Sequence, residues 1–309
     1  MNKKTAGLFS RNSILIALLV SSTYLLVSFF LIGFKTDQLV LTAIFNGCFF
    51  LSAVSRKFII GFSIFIVYWI LFDYMKAFPN YRFNTVHIQD LYNAEKFLFG
   101  FSYLGKIITP NEYWVLNGNS FLDILAGVFY LCWIPVPLVF AAFLFFKDKE
   151  MFLHFSLTFV LVNMIGFIIY YVYPAAPPWY YQLKGANFLP ATLGNTAGLH
   201  KFDDHFNIKV FHNIYAKSSN VFAAMPSLHS SYPLIVVYYG IQKKLGWMNL
   251  TFVVVTLGIW FAAVYSSHHY ILDVLAGVGC AAVGIFIFQK LLLRIPAFRR
   301  FLNMYEVNI

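Results

Sequence analysis

The stretch HHYILDVLAGVGCAAVGIFIFQKLLL, residues 268–293, indicates the fold class of this chain. It is largely apolar, and an α-helix of about 20 such residues crosses the roughly 30 Å hydrocarbon core of a bilayer. Its ionisable residues lie near the two ends, with His268, His269 and Asp273 at the start and Lys290 near the finish. The stretch therefore predicts a membrane-spanning helix with chemically active side chains at one end.

Further apolar blocks precede this stretch, and the second, sixth and seventh blocks are the shortest. Together they predict about eight transmembrane helices, near residues 13–34, 38–54, 58–76, 121–146, 152–173, 226–242, 249–266 and 268–293. The composition agrees, because 60% of the 309 residues are hydrophobic and 11% are charged, whereas soluble domains are about 25% charged. We predict an all-α, polytopic membrane helical bundle.

The basic residues predict the orientation of the bundle. With eight helices, one side collects basic residues in tails and short turns: Lys3, Lys4, Arg11, Arg56, Lys57, Lys147, Lys149, Lys243, Lys244, Lys290, Arg294, Arg299 and Arg300. By the positive-inside rule this side, with both termini, is cytoplasmic, and the long loops 77–120 and 174–225 face the periplasm or lumen. Because the basic residues form no stripe, the net charge of +10 does not indicate nucleic-acid binding.

The two long loops contain segments typical of the membrane interface. HIQDLYNAEKFLFG, residues 87–100, repeats apolar residues at helical spacing with charges between them, which predicts an interfacial helix. YPAAPPWY, residues 173–180, has prolines that stop the preceding helix and aromatic rings that favour the headgroup level. Whether this second segment also shapes a substrate groove is left open by the sequence.

Two further segments, AMPSLHSSYP at 224–233 and YSSHHYILDVLAG at 265–277, place ionisable groups at helix ends. One helical hairpin separates His229 from His269, so both should return to the same membrane face. Asp273 follows His269 by four residues, and on a helix this spacing lets the carboxylate accept a hydrogen bond from one imidazole nitrogen. The pattern predicts a site with two histidines and one carboxylate.

Such a set suits transfer of a phosphorylated group. The reaction needs a nucleophile, an acid for the leaving alkoxide, and positive groups around the phosphate oxygens. His269 would attack, Asp273 would orient it, and His229 would protonate the departing alcohol and later deprotonate the acceptor. The helix that begins at Pro226 and Ser227 could hold the oxyanion with its free N–H groups, and Lys76 and Arg82 are candidates for an oxygen clamp.

Simpler interpretations exist for the secondary residues. Ser227 would serve equally as a helix cap, and Asp73 and Lys76 have the spacing of an ion pair at a helix end. His268 points about 100° away from His269 on a helix, so local packing is the simpler role beside a secondary one at the phosphate.

A histidine and aspartate group in the second long loop raises the question of a metal. The residues are His200, Asp203, Asp204, His205 and His212. Their spacing matches no standard ligand pattern. We expect neither a metal nor another cofactor.

The motif P-S-x-H at His229, followed by H-x-x-x-D at His269 and Asp273, resembles two signatures of the type 2 phosphatidic acid phosphatase superfamily. In that family the matching residues are catalytic. The segments AMPSLH, HHYILD and YPAAPPWY are similar to those of the inositol phosphorylceramide synthase branch, which transfers phosphoinositol to ceramide. The resemblance covers roughly residues 60–290. It implies N-terminal helices at 1–57, a six-helix catalytic domain at 58–293 and a basic cytoplasmic tail at 294–309.

The sequence also departs from the general superfamily pattern. Leu228 stands where that pattern has glycine, and Ala262 and Ala263 stand where it has a Ser-Arg pair, as in the synthase branch. The signature K-x6-R-P is not matched, because Lys76 and Arg82 are one residue too close and Phe83 replaces the proline.

Three hypotheses follow. The first is a metal-independent lipid phosphotransferase with a phosphohistidine intermediate, a phosphatidylinositol donor and a ceramide-like acceptor. The second is a lipid phosphate phosphatase, in which water resolves the same intermediate. The third is a transporter or scaffold that uses the histidines and Asp273 as a proton relay. The sequence leaves the donor headgroup, the acceptor lipid and the oligomeric state open.

Overall fold

Long apolar helices form the body of the protein. The computed structural model describes residues 7–216 and 220–309, so Lys3 and Lys4 of the predicted cytoplasmic side lie outside the described residues. The helices of the membrane body are α1 (Arg11–Ile32), α2 (Thr36–Leu51), α3 (Ala53–Tyr74), α6 (Ser120–Leu131), α7 (Pro135–Lys147), α8 (Lys149–Val172), α12 (Leu228–Gln242), α13 (Met248–Tyr265) and α14 (Ile271–Phe286). The two long loops contain α4 (Gln89–Phe99), β1 (Phe101–Tyr103), β2 (Lys106–Ile108), α5 (Pro110–Asn117), α9 (Pro178–Lys184), α10 (His200–Phe206) and α11 (Val210–Ala216), and α15 (Pro296–Asn308) ends the described chain.

The predicted all-α membrane bundle is confirmed. Within the described residues, six helical segments are long and apolar enough to cross a membrane. They correspond to the first, third, fourth, fifth, seventh and eighth predicted spans. The other two predicted spans are also helices but are shorter, with 16 residues in α2 and 15 in α12. The chain is therefore an integral membrane protein, and α2 and α12 are its short members.

A break divides the predicted span 121–146 into α6 and α7. Residues 132–134 form a turn, and α7 begins at Pro135. Proline lacks an N–H group and fits the first turn of a helix, so the prolines at 135 and 137 start a new helix rather than continue the old one. The break places Trp133 beside α12, at the level of His229.

The short helix α12 lies at the centre of the bundle. It packs against α7, α8, α13 and α14. Its tyrosines bond to α3 and α8 within the core, because Tyr232 Oη lies 2.9 Å from Tyr68 Oη and donates to Asn163 Oδ1 at 2.6 Å. Leu228 fits closely against Gly166 of α8, where an added Cβ would lie 2.6 Å from a Leu228 methyl group. A small residue on α8 thus accommodates the leucine that replaces the glycine of the general pattern.

The helix predicted within residues 87–100 is confirmed as α4. It is followed by a short antiparallel hairpin of β1 and β2, which the sequence analysis did not predict. The helix stop at YPAAPPWY is also confirmed, because α8 ends at Val172. Trp179 and Tyr180 of that segment are buried in the protein rather than exposed to headgroups, and Ala175 pairs with the backbone of both loops.

The residues after 294, predicted to be a basic tail, form the amphipathic helix α15, which packs on α8. Leu302 is buried, and the Tyr305 hydroxyl donates to the carbonyl of Ile60 at 2.8 Å. At the same end of the bundle, Lys243 pairs with Asp148 at 2.7 Å. Because α12 runs from His229 to the turn at Lys243, the histidines and these basic turns lie at opposite ends of one helix.

Candidate active site

The two motif histidines meet at one end of the bundle. His229 lies in the first turn of α12, and His269 lies in the turn 266–270 between α13 and α14. His229 Nδ1 is 3.3 Å from His269 Nε2. The prediction that a helical hairpin returns both residues to one face is therefore confirmed, and their ring nitrogens lie within hydrogen-bond distance of each other.

Asp273 approaches His269 in a different way from the one predicted. The sequence analysis placed both on one helix face, but α14 begins at Ile271, so His269 precedes the helix. The turn is held by the Ala263 carbonyl, which accepts the N–H groups of His268 and His269 at 3.1 and 3.0 Å. In this conformation His269 Nδ1 still lies 3.5 Å from Asp273 Oδ2. Contacts of this length commonly tighten when substrate binds.

The Asp273 carboxylate is fully buried and has a second task. Its Oδ2 accepts the backbone N–H of Tyr270 at 2.8 Å, which caps the start of α14. Burial lowers the pKa of the neighbouring His269 to about 4, so this imidazole is neutral near pH 7. A neutral imidazole has the lone pair that a nucleophile needs. With Nδ1 towards Asp273, the nitrogen free to attack is Nε2, which faces His229.

Aromatic residues of α6 and the break after it surround His229. Tyr130 Oη is 3.3 Å from His229 Nδ1 and also receives a hydrogen bond from the Tyr215 hydroxyl at 3.3 Å. Trp133 packs edge-on against the imidazole, with ring centroids 4.3 Å apart. No motif in the sequence predicted Tyr130, Trp133 or Tyr215 at the site. Only the W-I-P-V-P sequence, by predicting a helix break, could have drawn attention to Trp133.

His268 is oriented away from the histidine pair. Its Nε2 bonds to the Thr196 carbonyl at 2.9 Å, and its ring stacks on Tyr215 with centroids 4.4 Å apart. Burial lowers the pKa of His268 to about 3, so it stays neutral. The simpler interpretation from the sequence, local packing and bonding, describes these contacts.

Ser227 is fully buried and connects two helices. Its N–H donates to the Asp273 carbonyl at 2.8 Å, and its side chain accepts a hydrogen bond from the Ser230 hydroxyl at 3.0 Å. The hydroxyl makes no capping hydrogen bond to the helix backbone. Within the described residues, the contacts of Ser227 therefore fix α12 against α14 and so fix His229 relative to Asp273.

Gly277 allows that close approach. A Cβ at this position would lie 2.1 Å from the Ser227 carbonyl oxygen, which belongs to the backbone and cannot rotate away. We expect Gly277→Ala to force α12 and α14 apart and to destabilise the protein by about 1–3 kcal/mol. Transfer activity should fall at least tenfold, because a shift of about 1 Å at reacting groups is costly. Thermal unfolding in detergent and initial rates would measure both effects.

Gly279→Ala is the matched control for that prediction. An added Cβ at Gly279 meets no atom within 4 Å, although it lies only two residues away on the same helix. Equal stability and activity in the two variants would contradict the close-contact argument.

Lys76, Asp73 and Arg82 lie apart from the histidine pair. Lys76 Nζ pairs with Asp73 Oδ1 at 2.6 Å, as the simpler interpretation of their spacing predicted. Arg82 is exposed in a short turn that follows Pro79. No contact within the described part of the chain joins either basic residue to His229 or His269.

Because Asp73 already balances the charge of Lys76, we expect Lys76→Met to lower transfer less than about fivefold. Kinetics with a titrated lipid donor would test this. A loss above a hundredfold, with a raised KM for the donor, would instead identify Lys76 as a phosphate ligand.

The histidine and aspartate group of the second loop supports the loop itself. Both carboxylate oxygens of Asp203 accept backbone N–H groups, from Phe211 at 3.2 Å and from His212 at 2.9 Å, at the start of α11. The ring of His200 bonds to the Ala197 carbonyl at 2.5 Å. The Asp203 contacts hold α10 and α11 together.

Comparison with known proteins agrees with this geometry. Residues 106–287 match the PAP2 superfamily, and this range contains both histidines and Asp273. The chain belongs to that superfamily. The resemblance predicted from the P-S-x-H and H-x-x-x-D motifs is thus confirmed, and the PAP2 match includes α5 to α14 but not the N-terminal helices α1 to α4.

Relatives of this PAP2 protein are named phosphoinositol dihydroceramide synthase or inositol phosphorylceramide synthase. A phosphoinositol dihydroceramide synthase of Bacteroides thetaiotaomicron is 40% identical over 298 residues, which are 96% of this chain and 98% of that protein. The inositol phosphorylceramide synthase catalytic subunit of Saccharomyces cerevisiae is 29% identical over 75% of this chain, a region that corresponds to 57% of the yeast protein. The inositol phosphorylceramide synthase of Candida albicans is 31% identical over 55% of this chain and 39% of its own length. No solved structure matches the chain.

Proposed function

We propose that this protein is a membrane phosphotransferase that moves phosphoinositol from phosphatidylinositol to a ceramide-like alcohol through a phosphohistidine at His269. One observation carries the proposal: the relative from Bacteroides thetaiotaomicron, named phosphoinositol dihydroceramide synthase, aligns with 96% of the chain at 40% identity. The facing imidazoles of His229 and His269 supply the groups that such a reaction needs.

In the first half-reaction, His269 Nε2 attacks the donor phosphorus. An N–P bond forms, the P–O bond to diacylglycerol breaks, and the departing alkoxide takes a proton from His229, which enters the step as an imidazolium beside the bound phosphate anion. Asp273 stabilises the positive charge that develops on His269, from a buried position where water does not screen it. Diacylglycerol leaves, and His269 carries phosphoinositol.

In the second half-reaction, the hydroxyl of the acceptor attacks the same phosphorus. His229, now without its proton, removes the hydroxyl proton as the new P–O bond forms. The N–P bond then breaks and returns neutral His269. The same histidine acts as acid and then as base, so no net proton is consumed.

The burial of the site favours transfer over hydrolysis. His269 is 6% exposed and Asp273 is fully buried. Both long loops cover the site, because Asn111 donates to the His269 carbonyl and Tyr215 donates to the Tyr130 hydroxyl. A site placed among the helices suits an acceptor that arrives from the lipid phase.

The charge distribution supports an extracytoplasmic site. The turns that carry Lys147, Lys149, Lys243 and Lys244 lie at the end of the bundle opposite the histidines. By the positive-inside rule these turns face the cytoplasm, and the histidine pair then faces the periplasm or lumen.

Product analysis in detergent tests the proposed function. The purified protein is supplied with phosphatidylinositol with and without ceramide, in the presence of EDTA, and lipids are followed by mass spectrometry. Inositol phosphorylceramide and diacylglycerol in equal amounts are expected, and EDTA should not lower the rate. Free inositol phosphate at the same rate without ceramide, or phosphate released from phosphatidic acid with no ceramide product, would make the protein a hydrolase and overturn the proposal.

A further inference from the structure

A buried carboxylate from the first long loop reaches the helix that carries Asp273. Glu95 lies on α4 and is fully buried. Its Oε1 accepts the N–H of Ile271 at 3.0 Å, and its Oε2 accepts the N–H of Leu272 at 3.1 Å. These are the first two residues of α14, whose N–H groups have no partner within the helix. Glu95 therefore holds the main chain immediately after the turn that contains His269.

A second buried side chain from the same loop holds that turn from the other side. Asn111 of α5 is fully buried, and its Nδ2 donates to the carbonyls of His269 at 2.9 Å and Val264 at 2.8 Å. One amide thus connects the end of α13 to His269 itself. With Glu95, it fixes the backbone on both sides of the His269 side chain.

The two side chains belong to one connected unit. Glu112, next to Asn111 on α5, accepts the Tyr92 hydroxyl of α4 at 3.0 Å. Its other oxygen accepts the N–H of Thr109 at 2.7 Å, which caps α5. A movement of α4 would therefore displace α5, and either movement would reach the His269 turn.

We propose that Glu95 and Asn111 are positioning residues, which hold the main chain from His269 to Leu272 so that the imidazole lies between His229 and Asp273. This inference rests on the proposed function. His269 is not held by a regular helix, and its contact with Asp273 is 3.5 Å long, so its ring position depends on the backbone of the turn. Reacting groups must be held within about 0.5 Å of their productive geometry.

The protonation state of Glu95 gives this role a measurable signature. The pKa of Glu95 is raised to about 7, chiefly by burial and to a smaller extent by the buried Asp273, while the N–H groups of Ile271 and Leu272 oppose the rise. Tyr270 is a further titratable group that interacts with Glu95, and Tyr92 and Glu112 in turn interact with Tyr270. The ionised carboxylate accepts both N–H groups, whereas protonation turns one oxygen into a donor. As pH falls below 7, the hold on α14 should therefore weaken and the rate should fall.

The test compares Glu95→Gln with wild type in a phosphatidylinositol and ceramide assay across pH 5 to 9. We expect Glu95→Gln to lower kcat about 10- to 100-fold and to leave the KM for phosphatidylinositol within about twofold of wild type. The fall in rate below pH 7 that we expect for wild type should be absent from the pH profile of the variant. Asp90→Asn is the matched control, because this carboxylate is exposed and lies on the same helix. It should keep the wild-type kcat and the fall in rate below pH 7.

A second variant, Asn111→Leu, removes the amide donor at similar volume and should lower kcat in the same way. Wild-type kcat in both variants, or a change confined to KM, overturns the positioning role. If both variants fail to elute as monodisperse protein from size exclusion, the two side chains serve folding, which also overturns it. The same assay measures the wild-type protein. If the wild type forms no inositol phosphorylceramide, the result counts against the proposed function rather than against the positioning role.

Discussion

His269→Ala should abolish transfer, with kcat/KM for phosphatidylinositol at least about 10⁴-fold below wild type. The reason is that Nε2 of His269 faces His229 while its Nδ1 faces Asp273, so this imidazole is placed to attack. Without it, no covalent intermediate forms and neither half-reaction proceeds. Initial rates of diacylglycerol release, with and without ceramide, measure the effect.

His205→Asn is a suitable control for this variant, because His205 is an exposed histidine of the second long loop. It should keep wild-type rates. If His269→Ala retained more than a hundredth of the wild-type rate, with the same products, His269 could not be the nucleophile.

Asp273→Asn should lower kcat by about 10²- to 10⁴-fold with little change in the KM for either lipid. An amide of the same shape can still accept the Tyr270 N–H, but it carries no charge to stabilise the imidazolium form of His269. It can also donate to His269 Nδ1 and so favour the wrong tautomer, an effect that is large in hydrolytic triads. Steady-state kinetics and thermal unfolding would separate this loss from a loss of fold.

Asp204→Asn, which neutralises an exposed carboxylate of the second loop, is the control for this prediction. A kcat within threefold of wild type for Asp273→Asn would show that the carboxylate charge plays no part in catalysis. A lowered melting temperature alone would assign Asp273 to capping of α14.

The membrane bundle was predictable from the sequence because the length and apolar composition of each block are enough to indicate a membrane-spanning helix. The bounds of the fourth span are confirmed, and the turn before Pro135, which was not predicted, divides it into α6 and α7. The meeting of His229 and His269 was also predictable, because two consecutive helices with a short turn must return to the same face. In both cases the deciding information is local in sequence or follows from chain reversal.

Features that depend on distant contacts could not be predicted in this way. His269 lies outside α14 because the Ala263 carbonyl holds its N–H in a turn, with Ser267 in a left-handed conformation at φ 59°. The spacing of His269 and Asp273 correctly predicted that the two side chains approach each other. It wrongly predicted that both residues lie within one helix.

The neighbours of the histidine pair were missed for the same reason. Tyr130 and Glu95 reach the site from elements 99 and 176 residues away from their partners in the chain. No periodicity in the sequence records such contacts. Lys76 is the reverse case, because its contact is local. The side chain proposed as a phosphate clamp pairs instead with Asp73, three residues earlier in the chain.

The most direct test of the account is the identification of the covalent intermediate. The protein is incubated with phosphatidylinositol in the absence of ceramide, digested, and its peptides are examined by mass spectrometry under non-acidic conditions. We predict a phosphoinositol group on His269, which disappears when ceramide is added and is absent in His269→Ala. Continued formation of inositol phosphorylceramide with no modified histidine, or with the group on another residue, would contradict the account.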